Sequence, residues 1–245
     1  MQRISSAKRV NSAADDAAGL AAINAMSSQM SGQQQAIGNM TTGLSVTDTA
    51  GSALSQVGES LQRIRELTVQ AGNASLSASD RQSIQDEING LGQGLDGIAG
   101  NTQFNGQVLL DGSFSGQIQT GPNSGDVLAV SLGNVSSTAL GVAGLDVSSS
   151  SNASSALDKI DKAIDSVSTM QSSVAGTAAG LNSSLSNLSD SYQHLAESRS
   201  RIQDTDFAQS GSDLNKAKIQ NQVAAYASKL YQDTQNAATL SLLDG

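Results

Sequence analysis

The chain has 245 residues, a formal net charge of −9 and 2% aromatic residues. This acidic balance disfavours nucleic acid as a partner, because phosphate binding needs a basic surface. The sequence contains no cysteine, which excludes disulfide and thiolate chemistry, and no apolar run approaches the ~20 residues that a membrane span needs.

The N-terminal segment, residues 1–16, is mostly polar. It lacks the apolar stretch of a secretory signal peptide, so we predict that no signal peptide is cleaved from the chain. Asp15 and Asp16 lie where acidic residues favour the beginning of a helix. We therefore predict an N-terminal joint over residues 1–16, followed by a helix.

Residues 17–100 carry the repeats of a helical bundle. Small and aliphatic residues recur at alternating steps of three and four, which is typical of a coiled-coil seam. The two rows of the first helix consist of Ala50, Val57, Ile64 and Ala71, and of Leu54, Leu61 and Thr68. After Gly72 and Asn73, a capping box that begins at Ser79 predicts a second helix. Its apolar row consists of Ile84, Ile88, Leu91, Leu95 and Ile98.

Residues 101–150 show a different pattern, in which Gly, Asn and Asp recur every few positions between short runs. Asn105 and Gly106 form the strongest signal for a tight hairpin turn. Residues 117–120 and 127–132 resemble two strands on either side of a turn at Gly121 and Pro122. We predict that this segment is a small β-hairpin cap that joins two helical halves.

Residues 151–209 contain the longest seam, and a continuous helix of this length spans roughly 80 Å. Seven aliphatic residues lie seven positions apart, namely Ile160, Val167, Val174, Leu181, Leu188, Leu195 and Ile202. The interleaved row consists of Leu157, Ile164, Gln171, Ala178, Leu185, Tyr192 and Arg199. Residues 210–245 are rich in Ala and Gln and predict a last helix. Because such narrow stripes can bury each other, the predicted fold is mainly α: an elongated antiparallel helical rod, a coiled-coil-like bundle, with a small β-hairpin cap.

The sequence offers no catalytic, cofactor or metal constellation, so we predict that the protein is not an enzyme. Residues 92–97 match the dinucleotide fingerprint by letter, but they lie in a helical pattern rather than between a strand and a helix. His194 is the only histidine, which argues against a histidine-based zinc site. Asp158, Asp161 and Asp165 share a helical face with nearby lysines, so we interpret them as a solvated surface.

Five segments, in the same order along the chain, resemble bacterial flagellin. They are NSAADDAAG at residues 11–19, LQRIRELTVQ at 61–70, TQFNG at 102–106, SRSRIQDTDFA at 198–208 and LSLL at 240–243. Because these segments span almost the whole chain, the resemblance is more specific than any single motif.

The resemblance implies a structural subunit of the bacterial flagellar filament, self-assembling for motility and secreted to the extracellular flagellum. Its implied partners are other flagellin subunits and a flagellar export chaperone, which would bind the C-terminal inner-tube helix, residues 210–245. Compared with the family, the chain lacks most of the N-terminal inner-tube helix, so we expect no long regular filaments from this chain alone. The alternatives are a hook–filament junction protein and a monomeric extracellular adhesin of flagellin type.

Arg63 and Leu67 lie off the seam of the first helix. An apolar Leu67 among charged residues is a candidate contact, but periodicity alone equally fits a leucine that widens the core stripe. In flagellins recognised by the innate receptor TLR5, the matching arginine and leucine form the receptor hot spot with a glutamate of the next helix, on a surface that also contacts other subunits. The resemblance maps this site to Arg63, Leu67 and Glu87, and we expect all three side chains to face outward.

Overall fold

The computed structural model describes residues 5–243, without the side chains of Phe207 and of residues 237–243. Its helices are α1 (Ala17–Ala71), α2 (Ala78–Asn101), α3 (Ser150–Gln203) and α4 (Phe207–Leu243). Its strands, all between α2 and α3, are β1 (Gln103–Phe104), β2 (Gln107–Val108), β3 (Ser115–Gln119) and β4 (Val127–Ser131). The prediction of a mainly α fold with a small β-hairpin segment is confirmed. The apolar end that the sequence placed at Leu240, Leu242 and Leu243 lies outside the described side chains.

Helix α1 begins and ends where the local sequence predicted. Asp16 caps its first turn, because Asp16 Oδ1 accepts a hydrogen bond of 2.8 Å from the amide of Gly19. The helix ends at Ala71, and the amide of Gly72 still bonds the carbonyl of Thr68 at 3.1 Å.

Helix α2 begins two residues earlier than predicted, so the capping box at Ser79 is wrong. Ser77 is the cap: the amide of Asp80 donates to Ser77 Oγ at 3.2 Å, and the amide of Ser77 donates to Asp80 Oδ2 at 3.1 Å. The reason is chemical, because the carboxylate of Asp80 is a charged acceptor that receives both the amide and the hydroxyl of Ser77. The hydrogen bond from the Ser77 hydroxyl, followed by that from the Ser77 amide, lowers the pKa of Asp80.

The two predicted rows of α1 are confirmed as core. All seven residues are at most 1% exposed, including Thr68, whose hydroxyl bonds the carbonyl of Ile64. The buried face also takes in Ala53 and Leu67, so it is wider than a coiled-coil seam. The extra width follows from packing against two helices, since the same core cluster contains side chains of α2 and of α3.

The long predicted row of α3 is confirmed from Ile160 to Leu188, all of whose members are buried. The interleaved row is confirmed only in part in the first half of the helix, where Ile164 packs against the core cluster while partly buried. Ala156 and Ala163 are buried there, whereas Leu157 and Ile164 are only half-buried. In this half α3 belongs to the same core cluster as α1 and α2, and both alanines lie within that cluster.

Two antiparallel hairpins form the β segment, as predicted. β1 pairs with β2 through a turn at Asn105 and Gly106, which both have positive φ, 50° and 79°. β3 pairs with β4 from Ser115↔Ser131 to Gln119↔Val127. Ile118 of β3 lies directly over Gly43 of α1, where any larger residue would collide with it.

The chain divides into two compact units. One contains Ser31–Tyr192, and the other combines the described parts of Met1–Met30 and Gln193–Gly245. In the second unit, main-chain bonds join the two chain segments: the amide of Arg9 donates to the carbonyl of Gln203 at 2.6 Å, and the amide of Thr205 donates to that of Ala7 at 3.1 Å. None of the described helices combines the length and apolarity that crossing a membrane requires.

Candidate functional site

Arg63 of α1 and Glu87 of α2 form a charge pair on the surface of the first unit. Arg63 Nη2 lies 2.8 Å and Arg63 Nε 3.2 Å from the same oxygen, Glu87 Oε1. Arg63 Nη1 also reaches Glu66 Oε2 at 3.3 Å. The hydrogen bond with Glu87, followed by that with Glu66, raises the pKa of the Arg63 guanidinium. The structure therefore brings two of the three predicted site residues together.

The Arg63–Glu87 pair is open to solvent, because its two side chains are 51% and 49% exposed. Exposed ion pairs of this kind contribute little to stability, because solvent screens the two charges. Together with Glu66, the pair presents one positive and two negative groups on the protein surface, which suits recognition by a charged partner.

The expectation that Leu67 faces outward is wrong. Leu67 is 2% exposed and belongs to the core cluster that also contains Ile84 and Ile88 of α2. The physical reason is the second helix: α2 covers the flank of α1 that would otherwise be solvated. Of the two interpretations that periodicity allowed, the structure selects the leucine that widens the core stripe. A partner at this surface would meet Arg63 and Glu87, and not the side chain of Leu67.

A second cross-helix ion pair, which the sequence did not single out, lies two residues further along α1. Arg65 Nε is 2.7 Å from Asp161 Oδ1 of α3, and both side chains are about half exposed. The exposed Val69 lies one helical turn from Arg65. The signal was available, since Arg65 and Val69 belong to the flagellin-like run at residues 61–70, but the position of α3 was needed to connect them to Asp161.

The remaining chemical candidates have ordinary structural roles. Residues 92–97 lie within α2, so they are not a phosphate-binding turn between a strand and a helix. Asp161 is paired with Arg65, and among the described residues no three His, Cys, Asp or Glu side chains could together hold a metal ion. His194 is 80% exposed, and its Nδ1 lies 4.0 Å from Glu197 Oε2.

Helix α4 presents a row of exposed apolar side chains, which we call the α4 stripe. It consists of Ile219, Val223, Tyr226 and Leu230, at steps of four, three and four, with exposures of 60%, 62%, 71% and 55%. Large apolar residues in such a row rarely face water in a finished assembly. The spacing places the four side chains on one face of the helix, so a single partner surface could cover them together.

The chain matches two described protein families over most of its length. Residues 1–115 match the family described as bacterial flagellin N-terminal helical region, and residues 157–243 match the bacterial flagellin C-terminal helical region. The flagellin of Halalkalibacterium halodurans is 36% identical over 246 residues, which cover 99% of this chain and 90% of that protein. The flagellin of Bacillus subtilis is 34% identical over 276 residues, which cover 98% of this chain and 91% of that protein.

The fold is also similar to a solved structure. The crystal structure of Bacillus cereus flagellin matches with a TM-score of 0.55 and 25% identity, covering 62% of this chain and 88% of that one. The sequence relatives and the structural neighbour therefore agree.

Proposed function

Because this chain belongs to the bacterial flagellin family, it is a structural subunit of the extracellular flagellar filament, and we propose that the α4 stripe is its main assembly surface. The exposed stripe is the observation that carries the proposal. Burial of one large aliphatic side chain is worth about 1.5–3 kcal/mol. Three aliphatic side chains and the ring of Tyr226 on one helical face therefore supply a free energy that favours association with other copies of the chain.

We also propose a flagellar export chaperone as the partner that covers the α4 stripe before assembly. An apolar helix face that is exposed in the cell promotes premature association. A groove that accepts an amphipathic helix would cover the same four side chains that later contact other subunits. Chaperone binding and assembly would then be mutually exclusive, and the secreted subunit would associate only after release.

The assembly proposal is tested by placing charges on the stripe. The double variant Val223→Asp with Leu230→Asp should remain largely monomeric when ammonium sulfate is added, as measured by sedimentation velocity. The matched control is Asn221→Asp with Gln232→Asp, which adds the same two charges on the opposite side of α4 and should associate like the parent. Equal association of the stripe variant, the control and the parent would refute this role for α4.

The Arg63–Glu87 pair is the second proposed contact, with a neighbouring subunit or with the receptor TLR5. Its support is the resemblance of residues 61–70 to flagellin together with the half-exposed, fixed geometry of the pair. Arg63→Ala should weaken binding of the soluble receptor in a biosensor assay, whereas Arg65→Ala, which removes the neighbouring pair with Asp161, should change it less. Undiminished binding by the Arg63→Ala variant would contradict the proposal.

A further inference from the structure

Arg81, in the first turn of α2, is buried without a carboxylate among its described hydrogen-bond partners. The residue is 9% exposed, and its three nitrogens donate to three main-chain carbonyls at the end of α1 and in the turn that follows. The acceptors are the carbonyls of Ala71 at 3.1 Å from Nε, Leu76 at 3.1 Å from Nη1 and Asn73 at 2.7 Å from Nη2. We call this arrangement the Arg81 clasp.

The clasp explains why a cation occupies an unfavourable helical position. A positive charge in the first turn of a helix opposes the helix dipole. The C-terminal end of α1 is the compensating element, because the last carbonyls of a helix lack intrahelical partners and carry partial negative charge. The planar guanidinium has donors in several fixed directions, which an ammonium group on a lysine cannot reproduce.

The clasp joins the first turn of α2 to the end of α1. Its anchor point Ala71 is eight residues after Arg63, and Arg81 is six residues before Glu87. On the same side of α2, about one helical turn after Arg81, Gln85 holds the segment after the hairpins: Gln85 Nε2 donates to the carbonyl of Leu145 at 2.7 Å, and the amide of Val147 donates to Gln85 Oε1 at 2.8 Å. Two side chains that bind main-chain atoms therefore restrain the same side of α2 near its N-terminal end.

We propose that Arg81 is a positioning residue for the Arg63–Glu87 pair: by holding the end of α1 it sets the register of α2, and so presents Glu87 to Arg63. That the pair is a contact rests on the function proposed above, whereas the positioning itself does not. Slippage of α2 by even part of a turn would separate the two charged groups, since their closest atoms are now 2.8 Å apart.

The test is the rate at which the Nε proton of Arg63 exchanges with solvent, measured by NMR on the full chain labelled with 15N-arginine. Arg63 Nε donates to Glu87 on α2, whereas Arg65 Nε donates to Asp161 on α3 at 2.7 Å. Arg65 is therefore an internal control in the same spectrum. In the Arg81→Gln variant, exchange should become several-fold faster at Arg63 and stay unchanged at Arg65.

A purely structural role for Arg81 would change both protons alike, because general loosening of the unit frees Arg63 and Arg65 together. Equal acceleration at both sites, or none at Arg63, would overturn the proposal. If Arg81→Gln fails to fold, Arg81→Lys keeps the charge but loses the planar guanidinium. It should give a smaller acceleration of proton exchange, confined to Arg63.

Receptor binding by the same variants separates this proposal from the function on which it rests. If Arg81→Gln accelerates exchange at Arg63 and also weakens binding, both proposals are supported. If the exchange result holds while the unmutated chain does not bind the receptor, the positioning role stands and the receptor contact fails.

Discussion

Replacing Leu67 by alanine should lower the free energy of unfolding, although the resemblance to flagellin had suggested that this residue faces solvent. The side chain is 2% exposed, so the change removes three buried carbon atoms from the core around α1 and α2. At about 0.8 kcal/mol for each buried carbon, the lost transfer free energy is about 2.4 kcal/mol. The cavity that remains adds to this, which places the total at about 3 kcal/mol, within the usual range for buried leucines.

The assay is urea unfolding followed by circular dichroism. Two variants serve as controls, one at Leu67 itself and one at Arg63. Leu67→Met conserves volume and should cost less than about 1.5 kcal/mol. Arg63→Ala breaks only an exposed ion pair and should leave the free energy of unfolding close to that of the parent. A Leu67→Ala variant as stable as Arg63→Ala would show that Leu67 faces solvent, and would refute the packing of α2 on α1 described above.

Five further variants test the packing and the caps by the same unfolding assay. Leu188→Asp places a charge in a buried position of α3 and should cost several kcal/mol; an unchanged midpoint would mean that Leu188 faces water. Ala163→Leu should overpack the core cluster and lower the free energy of unfolding by about 1–3 kcal/mol, whereas an exposed alanine would tolerate the change. Ser77→Ala should cost about 1 kcal/mol and Ser79→Ala almost nothing, and the reverse order would restore the cap predicted from sequence. The pKa of Asp80 is lowered in the folded protein, so the stabilisation from its carboxylate is complete above the ordinary pKa of about 4. This stabilisation should be lost as pH falls through the lower folded pKa, and the Asp80→Asn variant should lack this acid-sensitive step.

The rows of α1 could be predicted from sequence because its partners all lie on one side of the helix. Alternating steps of three and four place Leu54, Leu61 and Ile64 on one face, and nothing in the fold overrides that periodicity. The hairpin turn at Asn105 and Gly106 was equally predictable, because asparagine followed by glycine is the pair that most readily adopts positive φ at two successive residues.

The errors in the buried faces arise where a third element joins a pair of helices. Periodicity locates the centre of a buried face but not its width, so Leu67 and Ala163 could be assigned only once α2 was in place. The Arg65–Asp161 pair joins residues 96 apart, and no local pattern connects them. The cap of α2 is different in kind: Ser77 and Ser79 are both capable caps, and the carboxylate of Asp80 decides between them.

The central claim is that the α4 stripe becomes buried when subunits assemble, and amide hydrogen exchange measured by mass spectrometry tests it most directly. Peptides covering residues 219–230 should exchange quickly in the free chain, where these side chains are exposed, and much more slowly after salt-induced association. Peptides from the core of α3, between Ile160 and Leu188, should exchange slowly in both states and serve as the reference. Association demonstrated by sedimentation, with no added protection over residues 219–230, would contradict the account.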